Sequence, residues 1–183
     1  MDYSSLVNSD ISFGEGQDNF GGIRKVYYGF LSDVDETQWP EPAAAPTSFT
    51  EAITIATPIV MLTGKKMNEL YVTPETSGLD GEGQGDRDAQ STKRSAELLF
   101  PKSNADSLGF AKATINRNMF FLLEDMSGLL RLIGSPKFPA NCTAKDTTGK
   151  ASTDRPGVTF TVEDIGIGPC PIYAADVPLE AAV

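Results

Sequence analysis

The sequence predicts a mainly β protein: an antiparallel β-sandwich or barrel of about eight strands with one flanking α-helix. Three observations predict it. Short runs rich in β-branched and aromatic residues recur along the chain, each bounded by Gly or Pro. The run TFTVED at residues 159–164 alternates with period two and presents Phe160 and Val162 to a core. Only one stretch, beginning near Ser103, carries a helical pattern together with start and stop signals.

The elements follow in order. Residues 1–22 are polar and Gly-rich with isolated apolar anchors at Leu6, Ile11, Phe13 and Phe20, a spacing that suits a strap docked on a surface. Residues 23–31 form a strand with bulky groups on both faces, which predicts partial burial of both. Residues 32–48 hold Trp39, three prolines and three alanines and read as a connection. Residues 52–62 are β-branched but interrupted by Pro58, which predicts two short strands or one bulged strand. Residues 67–73 and 95–100 read as strands on either side of a long loop.

The helix starts from a Ser103 cap with Asp106 three residues later. It carries Leu108, Ala111 and Ile115 on one stripe with Phe110 and Ala113 nearby, and ends at Asn116 or Asn118. Residues 119–124 and 129–134 form a hairpin about Gly128, and strands follow over 138–145, 158–164 and 171–177. The chain of 183 residues thus divides into an arm (1–22), one sandwich domain (23–178) and a short C-terminal tail (179–183).

The loop at 75–93, ETSGLDGEGQGDRDAQSTK, is Gly-rich, acidic and almost devoid of apolar side chains. Connections of this length are uncommon in compact domains unless functional or disordered. Two readings stand side by side: a solvated flexible loop, or an extended hairpin arm laid on a neighbouring copy. Gly78, Gly81, Gly83 and Gly85 let the backbone bend. Asp80, Glu82, Asp86 and Asp88 interleave with Arg87, Lys93 and Arg94. As a calcium loop the segment fails. Counted from Asp80, position 12 is Ser91, where an EF-hand requires a bidentate Glu.

Charge excludes some partners. Through Asp88 there are five basic and fifteen acidic residues, and beyond it ten of each. A surface of that sign does not grip nucleic acid or an anionic membrane. No run approaches the roughly 18 apolar residues of a membrane helix, so the expectation is a soluble chain made in the cytoplasm. Cys142 and Cys170 match no zinc or CxxC spacing, and a disulfide between them is open. There is no histidine, which rules out Ser-His-Asp and Cys-His catalysis, and no Walker or GxGxxG loop. The chain reads as a non-enzyme that needs no cofactor or metal.

The order of signatures adds a family resemblance. A strand ending in Thr73, the loop ETSGLDGEGQGDRDAQS, a strand ending FPK and then a short helix resemble the tail tube (major tail) proteins of tailed bacteriophages. The wording is most similar to those of phages infecting Bacteroidota. The stretches NMFFLLEDMSGLLRLIGSPKFP, DRPGVTFTVEDIG and PIY also resemble that group.

The resemblance implies two packed β-sheets with a flanking helix. It implies hexameric rings whose inner sheets join edge to edge, and stacking of the rings into a hollow tube in the virion tail. Double-stranded DNA would pass through that tube without specific binding. It implies as partners the chain itself and other tail proteins such as terminator, baseplate and tape measure, and no membrane. By position, residues 76–92 match the family's inter-subunit loop, so Gly78, Asp80, Gly81, Glu82, Gly83, Gly85, Asp86, Arg87 and Asp88 are its candidate contacts. Residues 1–22 match its arm, with Leu6, Ile11, Phe13 and Phe20 as anchors. Two alternatives remain: a single-ring terminator, neck or baseplate protein, and a β-sandwich module for host surfaces or glycans, for which Trp39 is the lone tryptophan.

Overall fold

The computed structural model describes residues 2–7, 9–11, 20–151 and 154–182. The fold is mainly β, two sheets packed face to face with a helix at their flank, as the sequence predicts. The elements are β1 (Ile23–Phe30), α1 (Phe49–Ile53), β2 (Thr54–Ile55), β3 (Asn68–Leu70), β4 (Gly78–Gln84), β5 (Ser91–Phe100) and α2 (Ala105–Thr114). They continue with β6 (Met119–Asp125), β7 (Leu130–Ile133), β8 (Asn141–Thr147), β9 (Gly157–Gly166) and β10 (Ile172–Tyr173). Among the described residues ten strands stand where the sequence suggested about eight; β4 arises inside the long loop, and β2 and β10 are only two residues each.

One sheet has six strands in the order β2-β10-β7-β6-β1-β3, and the other has four in the order β4-β5-β9-β8. All pairings are antiparallel except β10 with β2, which is parallel. Between the sheets lies a core of Val26 from β1, Ala96 and Leu98 from β5, Phe121 and Leu123 from β6, and Val158, Phe160 and Val162 from β9. The inward Phe160 and Val162 are those the alternation predicts.

The six-stranded sheet is buried on its other face as well. Tyr27 of β1 and Phe120 and Leu122 of β6 form a second core with Val34, Ile55, Ile59, Met61 and Met67. The Pro- and Ala-rich connection after β1 therefore acts as a lid. Trp39 stands edge-on to Phe120 at 5.2 Å. Tyr173 pins the lid: its hydroxyl accepts from Ile59 N–H and donates to the Asp176 carbonyl, both at 3.0 Å. The chain end closes the layer through Gly64 N–H to Ala182 O and Ala182 N–H to Lys65 O. Gly29 is the one residue of β1 that must be small, since a Cβ there would overlap the Phe120 ring.

Two local expectations are corrected. Of the two short strands or one bulged strand expected over residues 52–62, only Thr54–Ile55 forms a strand, and Met61 makes an isolated bridge to Val34. Ser48 caps a short helix, its hydroxyl accepting from Glu51 N–H, while Glu51 reaches back to Thr47 N–H, and only Thr54–Ile55 pairs in a sheet. The flanking helix is capped by Asn104 instead of Ser103, in a reciprocal box with Ser107. Its inward stripe is Ser107, Phe110, Ala111 and Thr114, because the Phe110 ring wedges between Tyr28 (4.8 Å) and Phe160 (5.2 Å). Buried Ser107 and Thr114 satisfy their hydroxyls on nearby backbone carbonyls, so their polarity costs little. That phase leaves Leu108 and Ile115 in water, at 43% and 62% exposure. The helix ends at Thr114 with Ile115 as its C-cap, and Asn116 just beyond takes the left-handed conformation with φ 57°.

Candidate assembly surface

The four-stranded sheet is the unfinished part of the molecule. The inward rows of its central strands β5 and β9 are buried, together with Cys142 of β8 and, in part, Leu79 of β4, whereas the other face carries mainly polar side chains in the alternate register, with Leu99 and Ile165 among them. Asp80, Glu82, Glu97 and Glu163 stand there with Lys93 and Lys145, beside Thr143, Thr159 and Thr161. Its two outer strands, β4 and β8, are seven residues each. Among the described residues neither makes a backbone hydrogen bond on its outer edge. A long row of unpaired N–H and C=O groups is a template for another strand.

The predicted loop residues fall on this edge. Gly78, Asp80, Gly81, Glu82 and Gly83 lie in β4, paired along its whole length to β5 and exposed on the other side. The loop is therefore mostly an edge strand of the sheet. Only residues 85–90 form a projecting tip, turned by Gly85 (φ 98°) and Asp88 (φ 71°) and holding Asp86 and Arg87. The side chains of Asp80, Glu82, Asp86, Arg87 and Asp88 make no hydrogen bond or ion pair among the described residues.

Arg94 belongs to a different task from the docking charges with which the sequence groups it. It faces inward and forms a buried, bidentate pair with Asp164 of β9, Nε to Oδ1 at 2.7 Å and Nη2 to Oδ2. Asp164 Oδ2 also accepts from Gly134 N–H at 2.7 Å, at the end of β7. The pair thus clasps the two sheets together. Gly166 makes room for it, since a Cβ there would lie 2.5 Å from Arg94 Nη2. The signal was present in the alternation: Arg94 shares the phase of Ala96 and Leu98, and Asp164 that of Phe160 and Val162.

The arm divides. Residues 2–7 lie on their own chain, with Asp2 N–H on Ala44 O, Val7 N–H on Thr47 O and the Ser5 hydroxyl on Pro46 O. Leu6 is half-buried, whereas Ile11 and Phe20 are 90% and 64% exposed. Phe13 lies outside the described residues. The arm's root is tied to its surroundings, Gly22 O accepting from Met126 N–H and Ile23 N–H donating to Ser77 O, which sits just before β4. Ser77 is buried, and its hydroxyl accepts from Leu99 N–H. Phe20 and Ile23, with Leu79 and Gly81 of β4, line a groove of about 400 Å³.

The two cysteines are free, buried thiols, and burial pushes each up to about 11. No group of three or more Cys, Asp or Glu among the described residues is placed to hold a metal ion. None of the described helices is long and apolar enough to cross a membrane. No protein family, no curated protein and no solved structure matches this chain.

Proposed function

We propose that this chain is a structural subunit of a phage tail tube. Copies join through their four-stranded sheets into hexameric rings, and the rings stack into a hollow tube through which DNA passes during ejection. The observation that carries the reading is the pair of seven-residue edges left unpaired, among the described residues, on a sheet whose partner sheet is covered on both faces. Closing such a sheet into a ring abolishes its edges, and head-to-tail stacking of rings gives an open filament.

The polar face of the four-stranded sheet suits a DNA conduit. Four carboxylates against two lysines give each subunit a weakly negative wall. Such a wall avoids the counterion-releasing contacts that would hold the duplex in place. The exposed arm residues Ile11 and Phe20 and the tip at 85–90 are further contacts between copies. Trp39 gives no support to a sugar-stacking platform, because its ring is engaged with Phe120 in the lid.

Negative-stain microscopy and sedimentation of the purified full chain test the reading. Rings or tubes are expected, and a strict monomer at every concentration and salt would contradict it. The mass of the assembly separates a stacked tube from a single-ring terminator or neck protein. Replacing residues 85–90 with a two-residue turn should leave the fold intact and impair stacking. A deletion reaching back to Ser77 is unsuitable, since it removes a buried hydroxyl that serves Leu99.

A further inference from the structure

The inward row of β4 is short of side chains. Leu79 packs against the core, and Gly81 and Gly83 follow it in the same phase. Gly81 stands opposite Arg94, whose side chain also points inward. A Cβ at Gly81 would meet nothing closer than Thr92 Cγ2 at 3.9 Å. The sheets therefore part beneath this strand and leave the groove of about 400 Å³ described above. Small-molecule sites run from roughly 300 to 1,000 Å³.

The floor of the groove is apolar and neutral. Ile23, Leu123 and Cys170 are buried there, with Leu79 half-buried beside them. Burial pushes the Cys170 thiol up to about 11, so it carries no charge at neutral pH. An apolar body laid against such a floor gains by leaving water.

The polar groups at the rim select the head of a ligand. Asp125 is spent. It accepts from the Ser127 N–H and hydroxyl, from Leu129 N–H and from Arg131 Nε, about the four hydrogen bonds a carboxylate can take. Arg131 is only half used. It lies opposite Leu123 in the ladder and shares its inward face. Asp125 holds its Nε side, and its Nη1 and Nη2 groups make no hydrogen bond or ion pair among the described residues. The end-on fork of the guanidinium is thus free to take a second carboxylate. An amine finds no free acceptor of that kind.

We propose that this groove binds a small monocarboxylate with an apolar body, of the alkanoic acid class. The carboxylate takes Arg131 Nη1 and Nη2, and the body lies beneath Gly81 against Ile23, Leu79 and Leu123. The backbone at the rim argues for a small molecule over a peptide. Gly22 O and Ile23 N–H are already paired, to Met126 N–H and Ser77 O, so they offer no ladder to an extended chain. One copy of the protein forms the whole groove, so the site stands or falls independently of assembly.

Titration of the dilute full chain with octanoate, followed by backbone amide chemical shifts, tests the site. Saturable shifts at Gly22, Leu79, Gly81 and Ser127 are expected, with a dissociation constant of about 1 mM or tighter. The uncharged octanamide should bind roughly tenfold more weakly, and acetate, which lacks the body, more weakly than octanoate. Absence of saturable shifts at the groove overturns the proposal. Acetate binding as tightly as octanoate means an adventitious ion only, and octanamide binding as tightly means that Arg131 reads no carboxylate. Either result overturns the proposal and leaves the tube reading standing.

Two variants give a second readout. Arg131→Gln removes the fork and should weaken octanoate binding by roughly tenfold. Gly81→Leu fills the hollow from its inward face and should abolish the shifts. The amide spectrum of each variant reports whether it is folded, and unchanged binding in either folded variant overturns the proposal. The ligand series needs no variant, so it decides the matter even where a substitution disturbs the fold.

Discussion

The six-stranded sheet hides both of its faces and ends in strands of two and three residues, whereas the four-stranded sheet hides one face of its two central strands and ends in two largely exposed strands of seven. The first is complete within one chain. Five consecutive residues of β6, from Met119 to Leu123, are buried on alternating sides, against the second sheet and against the lid. The second sheet has no such cover, and its edges carry glycine and charge in place of apolar side chains. On the proposed reading, the difference assigns stability to one sheet and assembly to the other. Substitutions in the first should be felt by the monomer, and those on the outer surface of the second by the assembly alone.

The largest expected effect breaks the link between the two. Asp164→Ala strands the buried Arg94 guanidinium and frees Gly134 N–H, and should destabilise the monomer by about 3–5 kcal/mol in a denaturant titration. A loss of under 1 kcal/mol would mean that the clasp does not couple the sheets. Next comes Gly29→Ala in the covered sheet. The added methyl group forces Phe120 against Trp39, and a cost of about 1–3 kcal/mol is expected from overpacking.

A smaller effect lies at the β6–β7 turn. Partial burial raises the Asp125 pKa, but hydrogen bonds from Ser127, Leu129 and Arg131 outweigh it, and the net position is below the ordinary value. A lowered carboxylate adds stability above its unfolded value of about 3.9 and loses it as pH falls through the folded one. Asp125→Asn should cost about 1 kcal/mol at pH 7 and flatten the loss of stability below about pH 4. Smallest of all is Lys93→Met on the polar face. Its ion pair with Glu163, at 2.9 Å, is half-exposed on both sides, and the monomer should change by less than about 1 kcal/mol.

The same contrast explains what could be read in the sequence. The covered strands announce themselves, since NMFFLLED and the alternation of Thr159 to Asp164 need no context to be seen as strands. β4 was not legible as a strand, because GLDGEGQ has poor strand propensity and exists through its ladder with β5. α1 was hidden by β-branched residues, although the Ser48 to Glu51 spacing carries a capping signal. The stripe of α2 was read from its most apolar residues. The fold instead turned on Phe110, and small hydroxyl residues fill the tight space beside it. At the proposed assembly surface, composition alone singles out the loop residues. β8 was missed as an edge, because edge status depends on which strands lie next to each other, and no local pattern records it.

Amide hydrogen exchange measured residue by residue, at concentrations below and above assembly, tests the central claim most directly. Local protection reports whether a backbone group has a partner. Slow exchange of β5, β6 and β9 at both concentrations is predicted, together with protection of outward-pointing amides of β4 and β8 that appears only in the assembled protein. Edges that exchange rapidly at every concentration, or that are already protected in a monomer, would contradict the account.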